Sequence, residues 1–207
     1  MSKSTYSLDN VDPNADAIDW NIIAQTYTNM LATGEQSNFS ASNRKYLKEY
    51  LDNTKPLRAI VEIGVENNVD KNLTSTATIL SYKDDSTIYI GVDIDDRKHL
   101  DNPAKNIYTI QTGSQNVQEV MDFARSKGVE EIDFLFIDGW HSINQCIIEW
   151  DGYTPFLSKH GMVGFHDTNH HPGPRWLVER TDRRNWNVTD YPADPTSDFG
   201  IGFAWRK

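Results

Sequence analysis

Two short stretches of this sequence put ionisable side chains where they could act on a ligand: Phe136-Ile137-Asp138-Gly139-Trp140-His141 and Phe165-His166-Asp167-Thr168. Each comes after an apolar run, at the point where a buried strand would emerge. Asp138, His166 and Asp167 offer two carboxylates and an imidazole, a set able to hold a divalent cation. His141, in the first turn after Asp138, titrates near neutrality and could take a proton from a substrate hydroxyl. Plainer assignments exist for the same residues. Asp138 could cap the helix that begins near His141, and His166-Asp167 could be turn residues. His170 and His171, preceding Pro172-Gly173-Pro174, read as a loop that covers the site, helps to bind substrate or simply faces solvent. Trp140 could stack on a flat ligand, shape a substrate pocket or pack.

The elements that must position these residues are set by hydrophobic patterning. Buried-strand runs are Ala59-Ile63, Ile88-Val92, Ile107-Ile110, Phe134-Ile137 and Met162-Phe165. Helical segments lie between them. From Gln115 to Lys127, Val117, Val120, Met121, Phe123 and Ala124 share one face; from His141 to Leu157, Ile143, Cys146, Ile147 and Trp150 point inward. Strands alternating with helices imply an α/β fold with a parallel sheet covered on both faces. Trp186-Val188 and Phe199-Trp205 have only a Pro/Asp-rich loop between them, which predicts an antiparallel pair at one edge. Residues 1–57 carry helical spacing instead, in Trp20, Ile22, Ile23, Tyr27, Met30 and Leu31 and again in Tyr46, Leu47, Tyr50 and Leu51. We expect an N-terminal helical extension over 1–57, serving as a lid, an oligomer contact or a solvated cap, and one catalytic domain over 58–207.

In such a sheet ligands bind beyond the carboxyl ends of the strands. The residues found there are Glu62, Gly64 and Glu66, then Asp93, Asp95 and Asp96, then Thr112, Gly113 and Ser114, then the two late motifs. Asp93 suits a bidentate bond to the two hydroxyls of a ribose, or it caps the helical turn after it. The first turn has Gly64 but no G-x-G-x-x-G, and its continuation Glu66-Asn67-Asn68-Val69-Asp70-Lys71-Asn72 is long and glycine-poor. That loop cannot bring its backbone close to a pyrophosphate in the usual way, so a cofactor without phosphate is favoured. S-adenosylmethionine is such a cofactor, and the acidic rim of Glu62, Glu66, Asp93 and Asp138 suits its sulfonium cation. Glu62 could instead pair with a neighbouring Lys or Arg.

The order Val61-Glu62-Ile63-Gly64-Val65, Ile90-Gly91-Val92-Asp93-Ile94-Asp95, Phe136-Ile137-Asp138-Gly139-Trp140-His141-Ser142, Pro155-Phe156-Leu157-Ser158-Lys159-His160-Gly161 and Phe165-His166-Asp167-Thr168 resembles the class I methyltransferases. The branch it is most similar to holds macrocin-type sugar O-methyltransferases and cephalosporin hydroxylase-like proteins, over roughly residues 58 to 205. The resemblance implies a Rossmann-like, doubly wound, seven-stranded sheet, mostly parallel with an antiparallel last strand. It implies that Glu62 and Gly64 hold the methionine part of S-adenosylmethionine, Asp93 the ribose, and Gly113 and Ser114 the adenine border. It further implies metal binding by Asp138, His166 and Asp167, with His141 as base. Two features depart from the family pattern. The second glycine of the first turn is missing, and the metal pair is His-Asp rather than two acids. An imidazole favours manganese, iron or zinc over magnesium, or leaves no metal and a substrate-positioning role for His166.

The reaction this reading predicts is methyl transfer to a small-molecule hydroxyl, a sugar or similar polyol, with Mg, Mn or Fe as the candidate metal. One rival is a non-haem iron oxygenase built on His141, His166 and one carboxylate; another is a non-catalytic cofactor-binding protein. A net charge of −10 argues against nucleic-acid or anionic-membrane partners, although a local basic patch could exist, first of all at Arg175, Arg180, Arg183 and Arg184. A single cysteine, Cys146, cannot form an internal disulfide, and no signal-peptide or transmembrane run is present, so a cytoplasmic protein is expected. The sequons at Asn38, Asn72 and Asn187 are then chance. A homo-oligomer is compatible with all of this.

Overall fold

The computed structural model describes residues 20–32, 39–66, 73–191 and 198–207. The first strand, β1 (Ala59–Ile63), is buried at every position, as a strand covered on both faces must be. It lies between β2 (Ile88–Asp93) and β4 (Ile132–Ile137) and is parallel to both. With β3 (Ile107–Gln111), β5 (Leu157–His166), β6 (Trp186–Tyr191) and β7 (Ile201–Arg206), the sheet has the order β3-β2-β1-β4-β5-β7-β6. Strands β1 to β5 run parallel; β7 is antiparallel to β5 and to β6. The expected antiparallel edge pair is therefore present. The Pro/Asp-rich connection between its strands falls largely at 192–197, outside the described residues, as does most of the long first-turn loop at 67–72.

Alternation along β1 sends Val61 and Ile63 to one face and Ile60 and Glu62 to the other. On the first face, Val61, Ile63, Ile90, Val92, Leu135 and Ile137 pack under α4 (Val117–Ser126), α5 (Ile143–Tyr153) and α6 (Pro172–Arg180). The inward residues expected on α5, Ile143, Cys146, Ile147 and Trp150, are all buried. On the second face, α2 (Ala41–Asn53) sinks Leu47, Tyr50 and Leu51 against Ile60, Phe134, Phe136 and Phe203, beside Ile79 of α3 (Ser75–Tyr82). The second N-terminal helix is thus one layer of the core. The first, α1 (Trp20–Ala32), exposes Ile22, Tyr27 and Leu31.

Hydroxyl caps start three of the helices: Ser40 accepts from Asn43 N, Thr74 from Ala77 N and Ser142 from Gln145 N. The α5 cap is therefore Ser142, not Asp138, which leaves the Asp138 carboxylate free for other work. Helix α6 occupies positions expected to be loop. Pro172 sits in its first turn, where a missing N–H costs nothing. Among the described residues, no helix is long and apolar enough to cross a membrane.

Candidate active site

Strand order reverses about β1 and β4: β2 and β3 lie to one side, β5 and β7 to the other. A crevice opens at such a switch point beyond the carboxyl ends of the strands. Gly64 forms its floor with φ +83°, and a Cβ there would lie 2.1 Å from the Asp138 carbonyl oxygen. Only glycine allows both that backbone conformation and that approach. The resulting cavity holds about 430 Å³ and is lined by Gly64, Asp93, Ser114, Asp138, His141 and Asp167 among others. Glu62, Gly113 and His166 do not line it.

The two late motifs converge because β4 and β5 pair in register, Ile137 against Phe165. His166 Nδ1 lies 3.2 Å from Asp138 Oδ1 and 3.1 Å from Asp167 Oδ1. His141 Nδ1 lies 3.2 Å from Asp167 Oδ2, and its Nε2 lies 3.6 Å from Asp138 Oδ1. Asp167 holds these positions from the left-handed region, φ 65°, a conformation aspartate tolerates better than most residues and one that gathers at functional sites. Asp138 Oδ2 also accepts from Ser75 Oγ at 3.2 Å.

Burial opposes charge here, and the ion pairs overcome it. Burial alone would lower His166, but Asp167 and Asp138 raise it to about 9; the same two carboxylates raise His141 against its own desolvation. Asp138 is held below the usual carboxylate range despite burial, chiefly by His166 and His141. Two carboxylates facing two imidazoles could exchange protons for a cation. Asp138, His166 and Asp167 present ligand atoms within 4.8 Å of one another, and Asp167 Oδ1 is buried without a hydrogen-bond partner. The donor set fits a divalent metal. Among the described residues, the candidate cation groups are Asp138-His166-Asp167 and His141-Asp167-His171, and neither holds both His141 and His166.

The remaining expected residues fall in different places. Glu62 is fully buried on the second face, accepting from Tyr89 Oη and from Thr76 Oγ1 at 3.1 Å, and burial raises it to about 8. Its partners are hydroxyls and not the Lys or Arg that the sequence offered as one possibility. Asp93 reaches the cavity and ties the first turn down, accepting from Val65 N at 2.9 Å and Asp95 N at 2.8 Å. Ser114 donates to Glu149 Oε1 at 2.6 Å and accepts from Gln145 Nε2 at 2.8 Å. Gly113 lies behind it, crowded by the Gln115 side chain. Ile94 and Trp140 stand on the cavity rim, 74% and 69% exposed.

Several contributors carried no sequence signal. Asn43, buried on α2, places Nδ2 3.1 Å from His166 Nε2 across 123 positions of chain. Ser40 on the same helix bonds Asp198, and Thr26 of α1 lies 3.1 Å from His170 Nε2. His171 did carry a signal, as one of two histidines offered for covering the site, helping to bind substrate or facing solvent; it is buried and places Nε2 3.6 Å from Asp167 Oδ2. In the candidate basic patch, Arg175 pairs with Glu179 and Arg184 with Asp182, while Arg183 donates to the Val178 and Val188 carbonyls.

Residues 4–168 match a family model described as a methyltransferase domain. Similar solved structures include MycE methyltransferase from mycinamycin biosynthesis, in complex with Mg and SAH (16% identity, 95% of this chain and 55% of that chain, TM-score 0.58). An O-methyltransferase from Bacillus cereus in complex with SAH shows 13% identity over 90% of this chain and 91% of that one, with a TM-score of 0.60. CalS11, a TDP-rhamnose 3'-O-methyltransferase of calicheamicin biosynthesis, shows 12% identity over 89% and 91%, with a TM-score of 0.54. The chain spans about half the length of MycE. No curated protein matches the sequence. The switch-point cavity, the seven-stranded sheet and a family match over most of the chain agree, and this chain belongs to the methyltransferase-domain family.

Proposed function

We propose that this protein transfers the methyl group of S-adenosylmethionine to a hydroxyl oxygen of a small molecule, a sugar or related polyol. The observation that carries the reading is the His141–Asp167 pair at the cavity. His141 Nδ1 lies 3.2 Å from Asp167 Oδ2, a placement that favours the proton on Nδ1 and the lone pair on Nε2, which is buried and has no hydrogen-bond partner. That nitrogen is the group that would take the acceptor's proton. S-adenosylmethionine supplies an activated methyl on a sulfonium, and in-line transfer then depends mostly on alignment.

The chain's own residues fit that cofactor. Gly64 lets the first turn approach without a side chain, and Asp93 keeps lone pairs for two ribose hydroxyls beyond its backbone bonds. Ile94 and Trp140 offer apolar surface to a purine, and Ser114 with Gln145 offers polar groups at its edge. Glu66, Asp93, Asp95, Asp138 and Asp167 give the cavity the sign that favours a sulfonium. Glu62, from beneath the floor, would act through Thr76, whose hydroxyl accepts from Glu66 N at 2.9 Å. Asp138, His166 and Asp167 would hold a divalent cation, which would lower the acceptor's pKa and offset the negative charge that raises His141. The exposed apolar residues of α1 suit a lid or an oligomer contact.

SAH-bound and Mg-bound neighbours and a sugar O-methyltransferase of the same fold support this choice. Calorimetric titration with S-adenosylmethionine, with and without Mg²⁺ or Mn²⁺, tests it. Saturable binding is expected; no binding in either condition overturns it.

A further inference from the structure

His171 has no part in the proposed transfer, yet it approaches the same carboxylate oxygen as His141. Its Nε2 is 3.6 Å from Asp167 Oδ2, and His141 Nδ1 lies 3.2 Å from that oxygen. The two imidazole rings lie 4.5 Å apart between centroids. Ligand atoms of the three residues fall within 4.8 Å of one another. A separation of 3.6 Å is too long for a hydrogen bond. The two distances bracket the roughly 3.4 Å that separates neighbouring ligands around a tetrahedral ion with bonds near 2.1 Å.

We propose that His141, Asp167 and His171 form a second cation site, for a borderline transition metal of the zinc class, sharing Asp167 with the site at Asp138 and His166. The other polar atom of each of these side chains, His171 Nδ1, His141 Nε2 and Asp167 Oδ1, is buried without a hydrogen-bond partner. Asp167 is 3% exposed and His171 9%, so neither is solvated as a surface residue would be. The Asp167 carboxylate turns Oδ1 towards His166 and Oδ2 towards His141 and His171. A carboxylate placed so can bridge two cations about 3.5–4 Å apart. Two imidazoles and one carboxylate form a three-ligand set that leaves coordination positions open, and they select zinc, iron or manganese over magnesium or calcium.

Occupancy has a consequence for His141. A cation bound at Nδ1 takes the lone pair there, so the single proton of the neutral ring must move, by exchange with solvent, from Nδ1 to Nε2. Nε2 can no longer accept a proton, so zinc at this site would inhibit transfer. That consequence rests on the proposed reaction; the site itself does not.

The test is a zinc titration of the full chain, stripped with chelator and dialysed, then read by calorimetry and elemental analysis. Wild type is expected to bind two equivalents and His171→Asn one. Asparagine is a favourable N-cap residue for the start of α6. If that variant unfolds by circular dichroism, His171→Gln replaces it. Cobalt(II) provides a second readout, because the visible absorption contributed by the second equivalent should vanish in the His171 variant. Equal zinc stoichiometry in wild type and variant, or a single equivalent in wild type, overturns the proposal. Failure to bind S-adenosylmethionine, measured separately, would sink the methyl-transfer reading and leave the zinc count standing.

Discussion

Asp167 Oδ2 lies 3.2 Å from Nδ1 of His141, the residue that begins the approach to α5, although the two come from the ends of different strands. That contact decides which imidazole nitrogen is left for chemistry, and it exists because β4 and β5 are sheet neighbours.

His141→Ala should therefore lower turnover about 10²–10⁴-fold, the usual worth of a positioned general base. Affinity for S-adenosylmethionine should stay close to wild type. Steady-state kinetics beside calorimetry separates the two, and a variant with full turnover would remove the base assignment.

Gly64→Ala puts a methyl group into the Asp138 backbone at a positive φ. The expected cost is at least ~1–3 kcal/mol of stability, because neither strand end can retreat without breaking the Asp138 N–H bond to the Ile63 carbonyl. Denaturant unfolding measures the loss, and cofactor binding should fall with it.

Glu62 gives a pH signature. Its pKa rises from 4.5 to about 8 on folding because burial disfavours the carboxylate. A raised folded pKa means that the native state binds the extra proton, so this contribution is complete below about 4.5 and disappears as pH rises through about 8. Wild type should lose stability relative to Glu62→Gln across that window, by a few kcal/mol at most. A constant stability gap between the two proteins from pH 5 to pH 9 would contradict a buried, protonated Glu62.

His166 should govern the choice of metal. His166→Asp replaces an imidazole with a second acid and should shift preference from Mn²⁺ towards Mg²⁺. Competitive calorimetry with the two ions reads the ratio, and Asp138→Ala should abolish binding at this site.

Removing the Asn43 amide leaves a buried imidazole nitrogen unpaired, at a cost of ~1–3 kcal/mol. Asn43→Ala should show that loss in thermal or denaturant unfolding, and it should weaken metal binding at the His166 site by loosening the ring.

Much of the architecture could be read from local pattern. Strands β1 and β4 are buried at every position, so their apolar runs stand out against polar neighbours. Once strands alternate with helices, chain order brings Asp138, His141, His166 and Asp167 to one sheet edge. Helices α3 and α6 escaped for a local reason: α3 is eight residues rich in Ser and Thr, and α6 opens on Pro-Gly-Pro, a turn signature that here begins a helix.

The sequence by itself determined the fold class, the family and the strand ends that carry the site, because hydrophobic period and motif spacing are local properties. Tertiary structure alone decided which face Glu62 occupies, since a strand buried on both sides gives alternation no polar face to mark. It alone brought Asn43 from a core helix onto His166. That contact joins residues 123 positions apart, a spacing with no period, and only packing brings them within bonding distance.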